Sequence, residues 1–154
     1  MEEKSKNTVL EVKNLSVTFQ TEQESVHAVE GIDLKISRGA TVGLVGESGS
    51  GKSVTALSIM RLLNSPPASY PSGEVWFAGQ DGRRSDLFSL NQKEMRRFRG
   101  KRMGMIFQEP MTSLNPVFRC GIQIQEAILL HEELSKAEAR RRVIRLLQQV
   151  QLPD

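Results

Sequence analysis

The stretch GESGSGKS, Gly46–Ser53, decides how the rest of the chain is read. Three glycines and three serines surround a single lysine. Before it runs ATVGLV, Ala40–Val45, apolar on both faces as a buried parallel strand requires. After it comes VTALSIMRLL, Val54–Leu63, in which Val54, Leu57, Ile59, Met60 and Leu63 recur at helical spacing. The most permissive residues of the chain therefore sit between a stiff strand-like run and a helix, with lysine at the join.

That arrangement has the pattern G-x-x-x-x-G-K-[ST], a phosphate-binding loop when a strand precedes it and a helix follows. A loop free of bulky side chains lets successive backbone N–H groups converge on an anion. The helix that starts near Lys52 adds its unsatisfied N–H groups and the positive end of its dipole. Gly46, Glu47, Ser48, Gly49, Ser50, Gly51, Lys52 and Ser53 are thus the candidate phosphate cradle. Lys52 supplies a full charge at the β- and γ-phosphates. The Ser53 hydroxyl is a hard oxygen ligand for Mg²⁺. The competing reading is a glycine–serine turn that happens to contain a lysine.

The flanking sequence predicts an α/β chain. VLEVKNLSVTF, 9–19, alternates, and HAVEGIDLKIS, 27–37, alternates again, so residues 9–37 are expected to form an antiparallel β-subdomain. TEQESV and RGA read as turns. NSPPASYPSG, Asn64–Gly73, stops the helix with prolines and glycine. EVWFAG reads as a strand, DGRRSD as a surface turn, and RMGMIFQ, Arg102–Gln108, as a second buried strand. Asn91 with Glu94, and Ser135 with Glu138, have capping-box spacing and predict two helix starts. CGIQIQEAILLHEEL, 120–134, is expected to be helical. The helix opened by Ser135 has its apolar side at Val143, Ile144, Leu147 and Val150.

Composition bounds the rest. The 154 residues carry a net charge of +3, too mild to argue for nucleic acid by itself. A single cysteine, Cys120, allows no intrachain disulfide and reads as packing rather than as a nucleophile. The charged start, MEEKSKNT, is not a secretory signal, and no apolar run is long enough to span a membrane. His27 and His131 lack cysteine neighbours at ligand spacing, so no zinc site is expected. The basic runs at 96–102 and 139–145 read as solvated helix surface.

GESGSGKS, followed some 55 residues later by MIFQEPMTSLNP, resembles the ATP-binding subunit of ABC transporters. The nearest likeness is to subunits serving dipeptide, oligopeptide, nickel and glutathione importers of prokaryotes, and it covers nearly the whole chain. The resemblance implies a P-loop NTPase core at 40–108, an N-terminal antiparallel β-subdomain at 9–37 and the start of a helical subdomain at 109–154. It implies ATP and Mg²⁺ as cofactors, with Phe19 stacking on adenine and Gln108 as the glutamine that ligates Mg²⁺ and reports the γ-phosphate. Lys52 and Gln108 would be its catalytic members. Read without the resemblance, Phe19 is a strand residue facing the core and Gln108 a polar cap at a strand end. The implied partners are a second ATP-binding subunit, transmembrane permease subunits and, indirectly, an extracellular binding protein, with no nucleic acid. The implied location is peripheral, on the cytoplasmic face of the plasma membrane.

The sequence departs from that family in lacking an LSGG tetrad and any apolar run ending in Asp-Glu. Without a Walker B carboxylate and a base for the attacking water, the 154 residues alone are expected not to hydrolyse ATP. Two alternatives stay open: a non-catalytic nucleotide-binding remnant, and a soluble ABC protein outside transport.

Overall fold

The computed structural model describes residues 7–107 and 113–152. The chain divides into two compact units, Met1–Met95 and Arg96–Asp154.

The first unit is built on a four-stranded antiparallel sheet. Strands β1 (Thr8–Gln20), β2 (Ser25–Ser37), β3 (Ala68–Ala78) and β4 (Arg84–Asp86) lie in the order β2-β1-β3-β4. Alternation in the sequence becomes rows across the sheet. Leu10 lies opposite both Ile36 and Phe77, and Val12 opposite both Leu34 and Val75. Val12, Leu15, Val17 and Val75 are essentially sealed from solvent. Each such aliphatic side chain contributes about 1.5–3 kcal/mol on burial.

The apolar phase of β1 changes midway, from Leu10 and Val12 to Leu15 and Val17. The register shifts at that point, and Asn14 adopts a φ of 46°. An extra residue in one strand turns the following side chains to the other face, which is what a β-bulge does. Side chains hold the bulge in place. The Asn14 N–H donates to Asp33 Oδ1 at 2.9 Å, Ser72 Oγ donates to the Asn14 carbonyl at 2.8 Å, and the Gly31 N–H donates to Ser16 Oγ at 2.9 Å.

The opposite face of the sheet carries one charged row, Lys35–Glu11–Trp76–Asp86. Glu11 accepts from Lys35 Nζ at 2.7 Å and from Arg84, whose guanidinium also stands 5.4 Å from the Trp76 ring centroid. The hydrogen bond from Lys35, with Arg84 and Lys13 adding to it against the effect of burial, holds the Glu11 carboxyl below its ordinary value.

Sheet structure extends past the predicted segments. NSPPASYPSG supplies the first residues of β3, which begins at Ala68, and the expected turn DGRRSD contains β4. Short polar edges pair as readily as apolar ones once a neighbouring strand offers free carbonyls, so composition alone hides them.

Helix α1 (Lys52–Ile59) follows the glycine loop, and α2 (Gln92–Phe98) opens with the reciprocal Asn91–Glu94 hydrogen bonds of a capping box. In the second unit, α3 (Cys120–His131) and α4 (Lys136–Gln149) form a helical hairpin. The predicted Ser135–Glu138 capping box is complete. Of the expected apolar side of α4, Val143 is buried, whereas Val150 is 65% exposed.

Two expected strands do not form. Residues 40–47 and 104–107 take no regular secondary structure. Their apolar side chains face solvent: Val45 is 94% exposed and Ile106 95%. A parallel strand is stable only with hydrogen-bonded neighbours and cover on both faces. Among the described residues no strand lies beside either segment.

Candidate phosphate site at the glycine loop

The loop Gly46–Ser53 closes on itself through its lysine. Lys52 Nζ donates to the Gly46 carbonyl at 2.8 Å, to the Glu47 carbonyl at 2.5 Å and to Ser50 Oγ at 3.1 Å. The ammonium therefore sits over the loop, held by three neutral oxygens. No carboxylate holds it: Lys52 forms no salt bridge among the described residues.

Gly51 opens α1. It is left-handed, at φ 82° and ψ 4°, and no side chain caps the helix. The first turn carries no acidic residue. Its N–H groups are thus unclaimed by side chains, as an incoming phosphate requires. A Cβ at Gly46 would meet Ser50 Oγ at 2.7 Å and stand 3.9 Å from Lys52 Nζ, so a side chain there would fill the cradle. These features fit an anionic ligand with several oxygens. Thr55 secures the base of the loop, its N–H and hydroxyl both donating to the Gly51 carbonyl at 2.8 and 2.9 Å.

Strand β2 connects this loop to Phe19. A Cβ on Gly51 would lie 2.4 Å from the Ala28 carbonyl and 3.2 Å from Val29 Cγ2, so α1 starts hard against β2. Two residues away along the same strand, Val26 is the cross-strand partner of Phe19, which also faces Ala68 on β3. Phe19 is half-buried and Val26 is 42% exposed. Two residues of strand span roughly 7 Å. One short piece of β2 therefore carries both the exposed Val26, paired with Phe19, and the abutment of the glycine loop.

Gln108 lies outside the described residues. Sequence reasoning missed Val26, Ala28 and Val29, small residues in a strand whose part in the site depends wholly on pairing. Away from the loop, Arg61 follows the other end of α1 with a φ of 51° and donates to the carbonyls of Leu87 and Leu90. Nothing in its sequence neighbourhood marks it.

A glycine-loop helix set against an antiparallel sheet, with a helical hairpin following in the chain, defines a mixed α/β protein. The family described as ABC transporter matches residues 29–154, and the chain belongs to it. The chain is 46% identical over 145 residues to the Oligopeptide transport ATP-binding protein OppD of Bacillus subtilis, covering 94% of this chain and 39% of that protein. It is 46% identical over 148 residues to the Probable D,D-dipeptide transport ATP-binding protein DdpD of Escherichia coli, covering 95% of this chain and 43% of that one. It is 45% identical over 146 residues to the Glutathione import ATP-binding protein GsiA of Pectobacterium atrosepticum, covering 95% and 23%. The chain thus spans less than half the length of these relatives. Among solved structures, the dimeric post-hydrolysis state of the ATP-binding cassette MJ0796 bound to ADP and Pi superposes with a TM-score of 0.74. That match has 24% identity and covers 94% of this chain and 58% of that one, a likeness of fold. No helix among the described residues is long and apolar enough to cross a membrane.

Proposed function

We propose that this chain is the nucleotide-binding part of an ATP-hydrolysing subunit that energises a prokaryotic ABC importer for di- or oligopeptides. The observation that carries the reading is the loop itself. Lys52 is held over Gly46–Ser53 by neutral oxygens alone, and α1 opens with no side-chain cap.

The roles follow the chemistry of each group. Backbone N–H groups of Gly46–Ser53 and the Lys52 ammonium hold the phosphates. Phe19, with Val26 beside it, takes the adenine face. The Ser53 hydroxyl and the Gln108 side-chain oxygen would hold Mg²⁺, which would neutralise charge on the phosphates. Residues 40–108 act as the nucleotide core, and 109–154 open the helical part that meets the permease. Two such subunits, set on transmembrane permease subunits at the cytoplasmic face of the membrane, form the working importer. An extracellular binding protein delivers the cargo. The peptide cargo is supported by the names of the relatives. The 154 residues by themselves bind nucleotide without turnover, since they hold no Asp-Glu pair at the end of an apolar run.

The experiment is affinity recovery of the tagged chain from its own cells after gentle solubilisation. Recovery with polytopic permease subunits, and loss of labelled-peptide uptake when the gene is deleted, is the expected result. Recovery with ribosomes or DNA, with uptake intact, would overturn the reading in favour of an ABC protein outside transport.

A further inference from the structure

A lysine ammonium has three donors and no acceptor. All three donors of Lys52 are engaged: two by the carbonyls of Gly46 and Glu47, at 2.8 and 2.5 Å, and the third by Ser50 Oγ at 3.1 Å. The three acceptors are not alike. The carbonyls are fixed by the path of the backbone. The hydroxyl makes the longest bond of the three, and it turns on a single side-chain torsion of an exposed residue.

The loop is shaped to bring that hydroxyl there. The Ser50 N–H donates to the Glu47 carbonyl at 3.3 Å, a turn that folds Ser50 back over Gly46. A Cβ on Gly46 would lie 2.7 Å from Ser50 Oγ and 3.4 Å from Ser50 Cβ, so only glycine at 46 leaves room for the serine side chain in this position. The hydroxyl and the Lys52 ammonium therefore share one small space above Gly46.

A phosphate oxygen carries charge, and the ammonium is drawn to it more strongly than to a neutral hydroxyl. Of the three acceptors, the rotatable hydroxyl is the one that can yield without any movement of the backbone.

We propose that Ser50 is a positioning residue for Lys52 that competes with phosphate. Its hydroxyl holds the third ammonium proton, and nucleotide binding exchanges that bond for one to a phosphate oxygen while the Gly46 and Glu47 carbonyls keep theirs. This rests on the reading of Gly46–Ser53 as the nucleotide loop. The consequence has an unusual sign. Removing a group that holds the ligand weakens binding, whereas removing a competitor strengthens it. The competing bond breaks as the ligand enters and is absent from the complex, so the gain falls on association and not on release.

The test is stopped-flow binding of a fluorescent ATP analogue with Mg²⁺ to the full chain, as wild type, Ser50→Ala and Ser50→Thr, with calorimetry of inorganic triphosphate beside it. Ser50→Ala should bind both ligands about two- to tenfold more tightly, the worth of one hydrogen bond. Its association rate should rise by that factor with the dissociation rate unchanged. Ser50→Thr, which keeps the hydroxyl, should behave as wild type. Urea unfolding should be the same in all three, since residue 50 is exposed. Equal or weaker binding by Ser50→Ala, or a change confined to its dissociation rate, would overturn the proposal while leaving the nucleotide loop in place. So would Ser50→Thr matching Ser50→Ala. Failure of the folded wild type to bind either ligand would overturn the nucleotide reading and this proposal together.

Discussion

The carbonyl oxygen of Ala28 on β2 lies so near Gly51 that a Cβ on Gly51 would stand 2.4 Å from it. The contact joins a strand of the antiparallel sheet to the N-cap residue of α1, and it makes glycine obligatory twice over. Gly51 has a φ of 82°, and the space for a side chain is occupied by backbone. Gly82 has a similar φ of 73° with nothing within 4 Å of its absent Cβ.

The pair of glycines gives the first prediction. Gly82→Ala should cost only the backbone term, about 1–3 kcal/mol. Gly51→Ala should cost more and should also weaken nucleotide binding, because β2 must move or α1 must tilt. Urea unfolding followed by the fluorescence of Trp76, the sole tryptophan, measures the first effect. Titration with a fluorescent ATP analogue measures the second. Equal losses in the two variants would mean that the Ala28 contact does not position the loop.

Phe19 separates two readings. As an adenine platform it should lose roughly 1–3 kcal/mol of ATP affinity in Phe19→Ala, the range for an aromatic stacked on a base. Phe19→Tyr should retain affinity. Inorganic triphosphate, which has no base, should bind wild type and Phe19→Ala alike. A variant that unfolds at lower urea yet binds ATP as before would mark Phe19 as a packing residue only.

Glu11 should make the sheet sensitive to acid. Its carboxyl is held below the ordinary value of 4.5 in the folded chain, chiefly by the Lys35 hydrogen bond and then by Arg84 and Lys13. Above pH 4.5 the group is ionised folded or unfolded, and the ion pairs stabilise the fold. As pH falls below 4.5 through the depressed folded-state value, the proton binds the unfolded chain first and that stability is lost. Glu11→Gln lacks the contribution at every pH. Wild type should therefore exceed Glu11→Gln in unfolding free energy at about pH 7, and the gap should narrow as the pH falls below 4.5. A gap that persists at the lower pH would contradict the assignment.

How much of this was legible in the sequence depends on range. The glycine loop, helix α1 and both capping boxes were readable because they are local: spacing along a few residues fixes them. Alternation found β1 and β2, although not the bulge at Asn14 nor the Asp33 and Ser72 contacts that hold it. ATVGLV and the MIF of RMGMIFQ have strand composition and no strand structure here, because a strand is completed by its neighbours and not by its own residues. Val26 and Ala28 were invisible for the related reason that their place beside the loop comes from pairing across the sheet.

The most direct measurement is calorimetric titration of the chain with MgATP, wild type beside Lys52→Ala. The account predicts saturable one-site binding by wild type. Lys52→Ala should bind roughly tenfold or more weakly, as expected when a charge-assisted hydrogen-bonding group worth about 1.5–3 kcal/mol is removed. Neither protein should release phosphate. Absence of binding by folded wild type, or equal affinity in Lys52→Ala, would contradict the assignment of Gly46–Ser53 as the nucleotide site.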